Sequence, residues 1–326
     1  MDLQTKVPIQ PADNPIDYQG KVLLLGSCFV ENMGAKFGYF QFRNSLNPFG
    51  IFFHPLAIEN LVQRAVDESI YSADEIFEQD GIWHCFDAHS ELRSNDRDTL
   101  LQLLNQRLME TNRSLETASH IIITLGTAWV YRNVVSKKIV ANCHKVPQRE
   151  FQKELLAPEE IQTSLENCLA LVRKMNPGAQ LIFTVSPVRH LKDGFVENQR
   201  SKAHLISAVH SVLSSRAPAC RTDRQSRELA YFPAYEIMMD ELRDYRFYGK
   251  DMLHPNELAV DYIWDKFRSV WISPESVSLM EEVDSVRKGL AHRPFNPDSH
   301  SHQKFRTSLQ AKITYLQERF PFMKFE

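Results

Sequence analysis

Two patterns of apolar residues alternate along the chain. Short unbroken runs, VLLL at 22–25, HIIITLG at 120–126 and LIFTV at 181–185, are too short for helices and show no polar alternation. Strands buried on both faces of a parallel sheet read this way. Between them the apolar positions space out at helical intervals, as in Phe29, Val30, Met33 and Phe37 within residues 29–40, and again over 97–116 and 157–175. Strand, turn and helix in repeated order predict a doubly wound α/β sheet with crossover helices on both faces.

The pattern changes in three places. Residues 129–147 (WVYRNVVSKKIVANCHKVP) alternate β-branched and polar positions around SKK, which predicts a β-hairpin inserted at the sheet's edge. A last strand is expected near 229–232 and a helix over 236–245. The segment YGKDMLHPNELAVDYIWDKF then sets Pro255 and Glu257 where the first turn of a helix favours them, predicting a helix over 255–270 with His254 just before it. Beyond Ser273 the chain is polar and helical, interrupted at AHRPFNPDSHSH, and closes with an amphipathic helix over 304–319. The organisation expected is an α/β domain over 1–271 with a helical C-terminal extension over 272–326 packed on it. The apolar stripe Phe305, Leu309, Ile313 and Leu316 suits that packing and also admits a homodimer.

Composition narrows the class. In 326 residues, 38 basic and 41 acidic side chains are mixed to a net charge of −3, which leaves no electrostatic footprint for nucleic acid or an anionic membrane. No stretch approaches the roughly 18 consecutive apolar residues of a membrane span, and the N-terminus lacks a basic segment leading into an apolar one, so a cytoplasmic protein is expected. Five cysteines, Cys28, Cys85, Cys143, Cys168 and Cys220, are odd in number and show no CxxC spacing. Reduced thiols are expected rather than a disulfide framework, with no metal and no cofactor.

In open α/β sheets the ligand crevice lies outside the carboxyl ends of the strands. Four such loops carry chemistry here: Gly26-Ser27-Cys28, Gly126-Thr127, Ser186 to His190, and Asp251 to His254. A serine hydroxyl attacks an acyl carbon only when a base takes its proton, and that base works best when a carboxylate fixes its tautomer. Asp251 and His254 supply both on one short loop, so Ser27, His254 and Asp251 form the candidate catalytic triad. Cys28 is the rival nucleophile. Adjacent residues leaving a strand point different ways, so one of the two faces the crevice, and Cys28 is read as a packing residue under the first helix. Candidate oxyanion donors are the N–H groups of Ser27 and Gly50 and the side chains of Asn47 and Thr127. Arg189, His190, His144 and Lys202 are candidate substrate contacts, Lys202 otherwise reading as polar surface.

The string Gly26-Ser27-Cys28-Phe29, with Val30 in fifth place, resembles the signature of the GSCFA family, a branch of the SGNH/GDSL hydrolases. The likeness continues through NPFGI (47–51), TLGTAWVY (124–131), VANCHKVP (140–147), TVSPVRH (184–190), ENQRSKAHL (197–205), DMLHP (251–255) and RPFNPDSHSHQKF (293–305). It implies a flavodoxin-like, SGNH-type sheet, with Ser27 as the nucleophile of the first block, Gly50 as the oxyanion glycine of the second, and Asp251 with His254 as the Asp-x-x-His of the last. The third block departs from the family pattern of Gly-x-Asn-Asp. This chain reads Gly126-Thr127-Ala128-Trp129, without the Asn that donates to the oxyanion. The function expected is a serine hydrolase or acyltransferase that forms an acyl-enzyme on an ester, with an acyl or acetyl group carried by a carbohydrate or small molecule. The alternative is a non-catalytic SGNH-like binding module with a degraded oxyanion hole.

Overall fold

A computed structural model describes residues 4–215 and 229–325, so Cys220 lies outside the described residues. The chain opens with β1 (Val22–Gly26), α1 (Cys28–Tyr39), β2 (Asn44–Leu46) and α2 (Pro55–Val66). A hairpin of β3 (Ile76–Gln79) and β4 (Ile82–Cys85) precedes α3 (Arg97–Thr117) and β5 (His120–Leu125). Three further strands, β6 (Trp129–Asn133), β7 (Ile139–Val140) and β8 (Phe151–Leu155), lead into α4 (Pro158–Met175), β9 (Gln180–Val185), α5 (Phe195–Ser215) and β10 (Leu229–Phe232). Last come a short α6 (Ala234–Glu236) that continues as a π-helical turn to Glu241, then α7 (Glu257–Trp271), α8 (Pro274–Ala291) and α9 (His300–Arg319).

Five strands form the central sheet in the order β10-β9-β5-β1-β2, and every neighbouring pair is parallel. Numbered among themselves these strands run 2-1-3-4-5, the flavodoxin-like doubly wound order that the sequence predicts. Side chains alternate between the faces of the sheet. Leu23, Leu25, Ile121, Ile123, Leu181 and Phe183 join α2, α3, α4 and α5 in one buried cluster. Val22, Leu24, Ile122, Ile182 and Phe232 join α1, α7, α8 and α9 in the other. Both faces are covered, which is why the strands read as unbroken apolar runs.

Four expectations are adjusted. The hairpin over 129–147 exists as β6 and β7, but it belongs to a separate three-stranded sheet, order β7-β6-β8, and does not extend the central one. The helix expected over 236–245 stops at Glu241. The helix expected from Pro255 starts at Glu257, because Asn256 is its N-cap and accepts a hydrogen bond from the Ala259 N–H at 3.0 Å. The closing helix begins at His300, where Ser299 caps it by accepting from the His302 N–H. Among the described residues no helix is long and apolar enough to cross a membrane.

Candidate active site

The turn out of β1 decides which neighbour faces the crevice. Gly26 has φ +132°, and a Cβ there would lie 2.1 Å from the Thr124 carbonyl oxygen, so no other residue fits without moving the backbone. Its N–H donates to Oδ1 of Asn47 (2.9 Å), and Nδ2 of Asn47 donates to Oε1 of Glu31 in α1 (2.7 Å). The Ser27 N–H then donates to the Thr124 oxygen at 3.0 Å, which carries the β1–β5 ladder one residue past the strand. Ser27 is fully buried, and its Oγ has no hydrogen-bond partner. Cys28 is the first residue of α1 and only partly buried, with Sγ 3.7 Å from Nε2 of His254. This differs from the expectation on both counts: His254 addresses Cys28, and Ser27 is the residue packed inside.

His254 is held by its own loop. Its Nδ1–H donates to Oδ2 of Asp251 (2.6 Å), which makes Nε2 the bare, accepting nitrogen that a thiol can donate to. Oδ1 of Asp251 accepts from the N–H groups of Leu253 (2.9 Å) and His254 (3.1 Å). These two N–H groups and then the imidazole hold the Asp251 carboxyl down to about 2. Gly249 donates back to the His254 carbonyl (2.8 Å), and the Leu253 carbonyl accepts from the Arg189 N–H (3.2 Å), tying this loop to the one after β9.

At the carboxyl ends of β5 and β9 lies a buried cation. Nζ of Lys202, on α5, donates to the carbonyls of Gly126 and Ser186, each at 2.7 Å, and the residue is 1% exposed. Burial pulls its pKa down to about 7. Burial, with Glu31, holds the Cys28 thiol above its ordinary value, only partly offset by the Lys202 charge and the N–H groups of Cys28 and Phe29. His190 stands on the same side. Its Nε2 is buried without a partner and would lie 3.4 Å from a Cβ at Gly126, with Cβ of Ser27 3.0 Å from that same point. Burial, Lys202 and His254 lower its pKa to about 3, so the ring is neutral.

The predicted oxyanion donors are engaged elsewhere. Besides the Ser27 N–H, the Gly50 N–H donates to the Asn47 carbonyl (2.8 Å). Thr127 shares a hydrogen bond with Ser201 Oγ (2.9 Å), and its N–H donates to the Phe53 carbonyl (2.8 Å). Asn47 braces Gly26 and Glu31, as described. The predicted substrate contacts divide. The Arg189 guanidinium lies over the rings of Tyr248 (4.1 Å) and Tyr245 (5.2 Å). His190 and His144 both line a cavity of about 470 Å³ between the central sheet's end and the β6–β8 sheet, walled by Phe53, Trp129, Tyr131 and Phe151. Nε2 of His144 is engaged with the Cys85 carbonyl at 2.6 Å, and burial lowers its pKa to about 4. Lys202, predicted as a substrate contact with polar surface as the alternative, is interior, its Nζ bonded to two main-chain carbonyls. Cys85, Cys143 and Cys168 are free, as is Cys28. Among the described residues no group of three or more His, Cys, Asp or Glu could hold a metal ion.

A 2-1-3-4-5 parallel sheet with a His–Asp pair and a thiol at the carboxyl end of its first strand defines a doubly wound α/β protein with its candidate site in the crevice usual for that class. The chain belongs to the GSCFA family: the family model matches residues 21–267, and the GSCFA domain protein C-terminal domain matches 283–326. Among solved structures it is similar to an acetyl esterase mutant with an acetate ion, at 11% identity and a TM-score of 0.36 over 81% of this chain and 99% of that one. It is also similar to an acetyl xylan esterase from the rumen bacterium Butyrivibrio proteoclasticus, at 12% identity and a TM-score of 0.36 over 88% of this chain and 66% of that one. No match is found among curated proteins.

Proposed function

We propose that this protein is an acyl-transfer enzyme that cleaves an ester with Cys28 as nucleophile, His254 as base and Asp251 as the group that orients the base. One observation carries the reading: Asp251 Oδ2 lies 2.6 Å from Nδ1 of His254, whose Nε2 lies 3.7 Å from Cys28 Sγ. The thiol proton passes to Nε2 as sulfur attacks the acyl carbon. The N–H groups of Cys28 and Phe29, in the first turn of α1 where no intrahelical acceptor exists, face the sulfur and are the proposed donors to the oxyanion. When the intermediate collapses, His254 returns the proton to the departing alcohol oxygen, leaving a thioester on Cys28. His254 then takes a proton from water or an acceptor hydroxyl, which attacks the thioester and releases the acyl group.

The cavity of about 470 Å³ is of the size that holds small ligands, roughly 300–1,000 Å³. Its aromatic walls and the polar side chains of Asn142, Gln148 and Asp193 suit the small-molecule or carbohydrate part of an acyl or acetyl ester. Turnover of p-nitrophenyl esters of increasing chain length tests the reading. Cys28→Ala is expected to reduce hydrolysis to background while Ser27→Ala retains it. The opposite pair of results would restore Ser27 as the nucleophile.

A further inference from the structure

The cavity that holds the alcohol part of the ester in this reading carries charged groups that no reaction step uses. Lys145, on the turn after β7, and Lys192 and Asp193, on the 3-10 turn after β9, all line it. Asp193 is already neutralised, because Lys153 of β8 pairs with it while lying 4.6 Å over the Trp129 ring. Among the described residues no carboxylate pairs with Lys145 or Lys192, both exposed at the cavity's mouth. Burial keeps the lining histidines His54, His144 and His190 uncharged at neutral pH, with pKa values lowered to about 4, about 4 and about 3. The mouth therefore holds uncompensated positive charge in a chain whose net charge is −3.

Both lysines stand on turns whose neighbouring residues are pinned. Lys145 follows His144, whose Nε2–H donates to the Cys85 carbonyl (2.6 Å) and whose N–H donates to Oδ1 of Asn142 (2.9 Å). The Val146 N–H closes the same turn on the Cys143 carbonyl at 2.9 Å. His144 and Lys145 both take left-handed backbone, at φ +48° and +61°, which non-glycine residues keep where surrounding contacts hold them. Lys192 lies two residues past His190, whose N–H donates to Oδ1 of Asn198 (2.9 Å), and directly before the paired Asp193. Inside this mouth the aromatic walls offer flat apolar surface of the kind a ring packs against.

We propose that the cavity selects esters whose alcohol part is a small ring bearing an anionic group, a carboxylate or a phosphate, with Lys145 and Lys192 as the side chains that bind the anion. The proposal rests on this cavity being the substrate site, but anion binding itself requires no turnover. Two lysines meeting one anion at a solvent-exposed mouth are expected to favour it about tenfold over a neutral isostere, and by less as salt is raised.

The test is isothermal titration calorimetry of the wild type with phenyl phosphate, benzoate and the neutral benzamide, at low and high salt. Both anions are expected to bind about tenfold more tightly than benzamide at low salt. A Lys145→Gln, Lys192→Gln double variant, checked for folding by its melting curve, is expected to lose that preference, and the corresponding double Arg variant to keep it. The tighter of the two anions identifies the group as phosphate or carboxylate. Benzamide binding as tightly as benzoate, a folded Gln variant that keeps the preference, or no saturable binding of either anion would overturn the proposal. None of the probes is an acyl ester, so this result is independent of whether Cys28→Ala abolishes ester turnover. Retained turnover in that variant would contradict the nucleophile and leave the anion site standing.

Discussion

At the residue scale Asp251 and His254 form a hydrogen-bonded pair beside the Cys28 thiol, and the pair's geometry is local. Asp251 accepts three hydrogen bonds from its own loop, so its carboxyl is depressed from 3.8 to about 2. For a depressed carboxyl the stabilisation is full above the ordinary value and is lost as pH falls through the folded one. The Leu253 and His254 amide resonances are thus expected to titrate near 2; a midpoint at about 4 would mean the loop is not held as described. Asp251→Asn, which removes the acceptor at Nδ1, is expected to lower kcat by roughly 10²–10⁴-fold with KM little changed, as read by steady-state kinetics. This pair was legible in the sequence because Asp-x-x-His needs only one turn of chain. The placement of Cys28 beside His254 was not, because ladder bonding runs one residue past β1 and turns Ser27 inward, a register no local pattern announces. Lys202 did carry a signal: it shares helical spacing with Leu205, Val209 and Val212, and that stripe marks an inward face.

At the element scale the β1–α1 turn is the part on which everything else is mounted. Gly26→Ala would push a Cβ against the Thr124 carbonyl and force a side chain to φ +132°. The conformation alone is expected to cost about 1–3 kcal/mol, measured by denaturant unfolding, with a parallel loss of turnover because α1 must shift with the turn. Ser27→Ala removes a buried hydroxyl that bonds nothing and is expected to leave stability unchanged or raised. β1, β5 and β9 were readable as unbroken apolar runs since both faces of the sheet are covered. β2, three residues reading Asn44-Ser45-Leu46 at the sheet edge, offers no apolar run to read. The β3–β4 hairpin could have been found, because Asp80-Gly81 occupies its tight turn with both residues at positive φ, the strongest short hairpin signal.

At the scale of the whole molecule, the C-terminal helices complete the core. Ile313 and Leu316 of α9, with Phe320 and Met323 beyond it, are buried in the same cluster as Tyr18, Phe37 and Phe42, and the Tyr18 and Phe320 rings lie 5.3 Å apart. Leu316→Ala is expected to cost about 2–5 kcal/mol in denaturant unfolding. The exposed Phe305, in the same sequence stripe, should cost under about 0.5 kcal/mol when replaced by Ala. The stripe was visible in the sequence, but which of its residues are covered depends on α8 and the N-terminal segment, which periodicity does not report. The central claim concerns what the assembled sheet edge does with Cys28. The most direct measurement is intact-mass and peptide mapping of protein quenched during turnover of p-nitrophenyl acetate. An acetyl adduct on Cys28, lost in Cys28→Ala and formed more slowly in His254→Ala, is the predicted result; an adduct on Ser27, or undiminished turnover by Cys28→Ala, would contradict it.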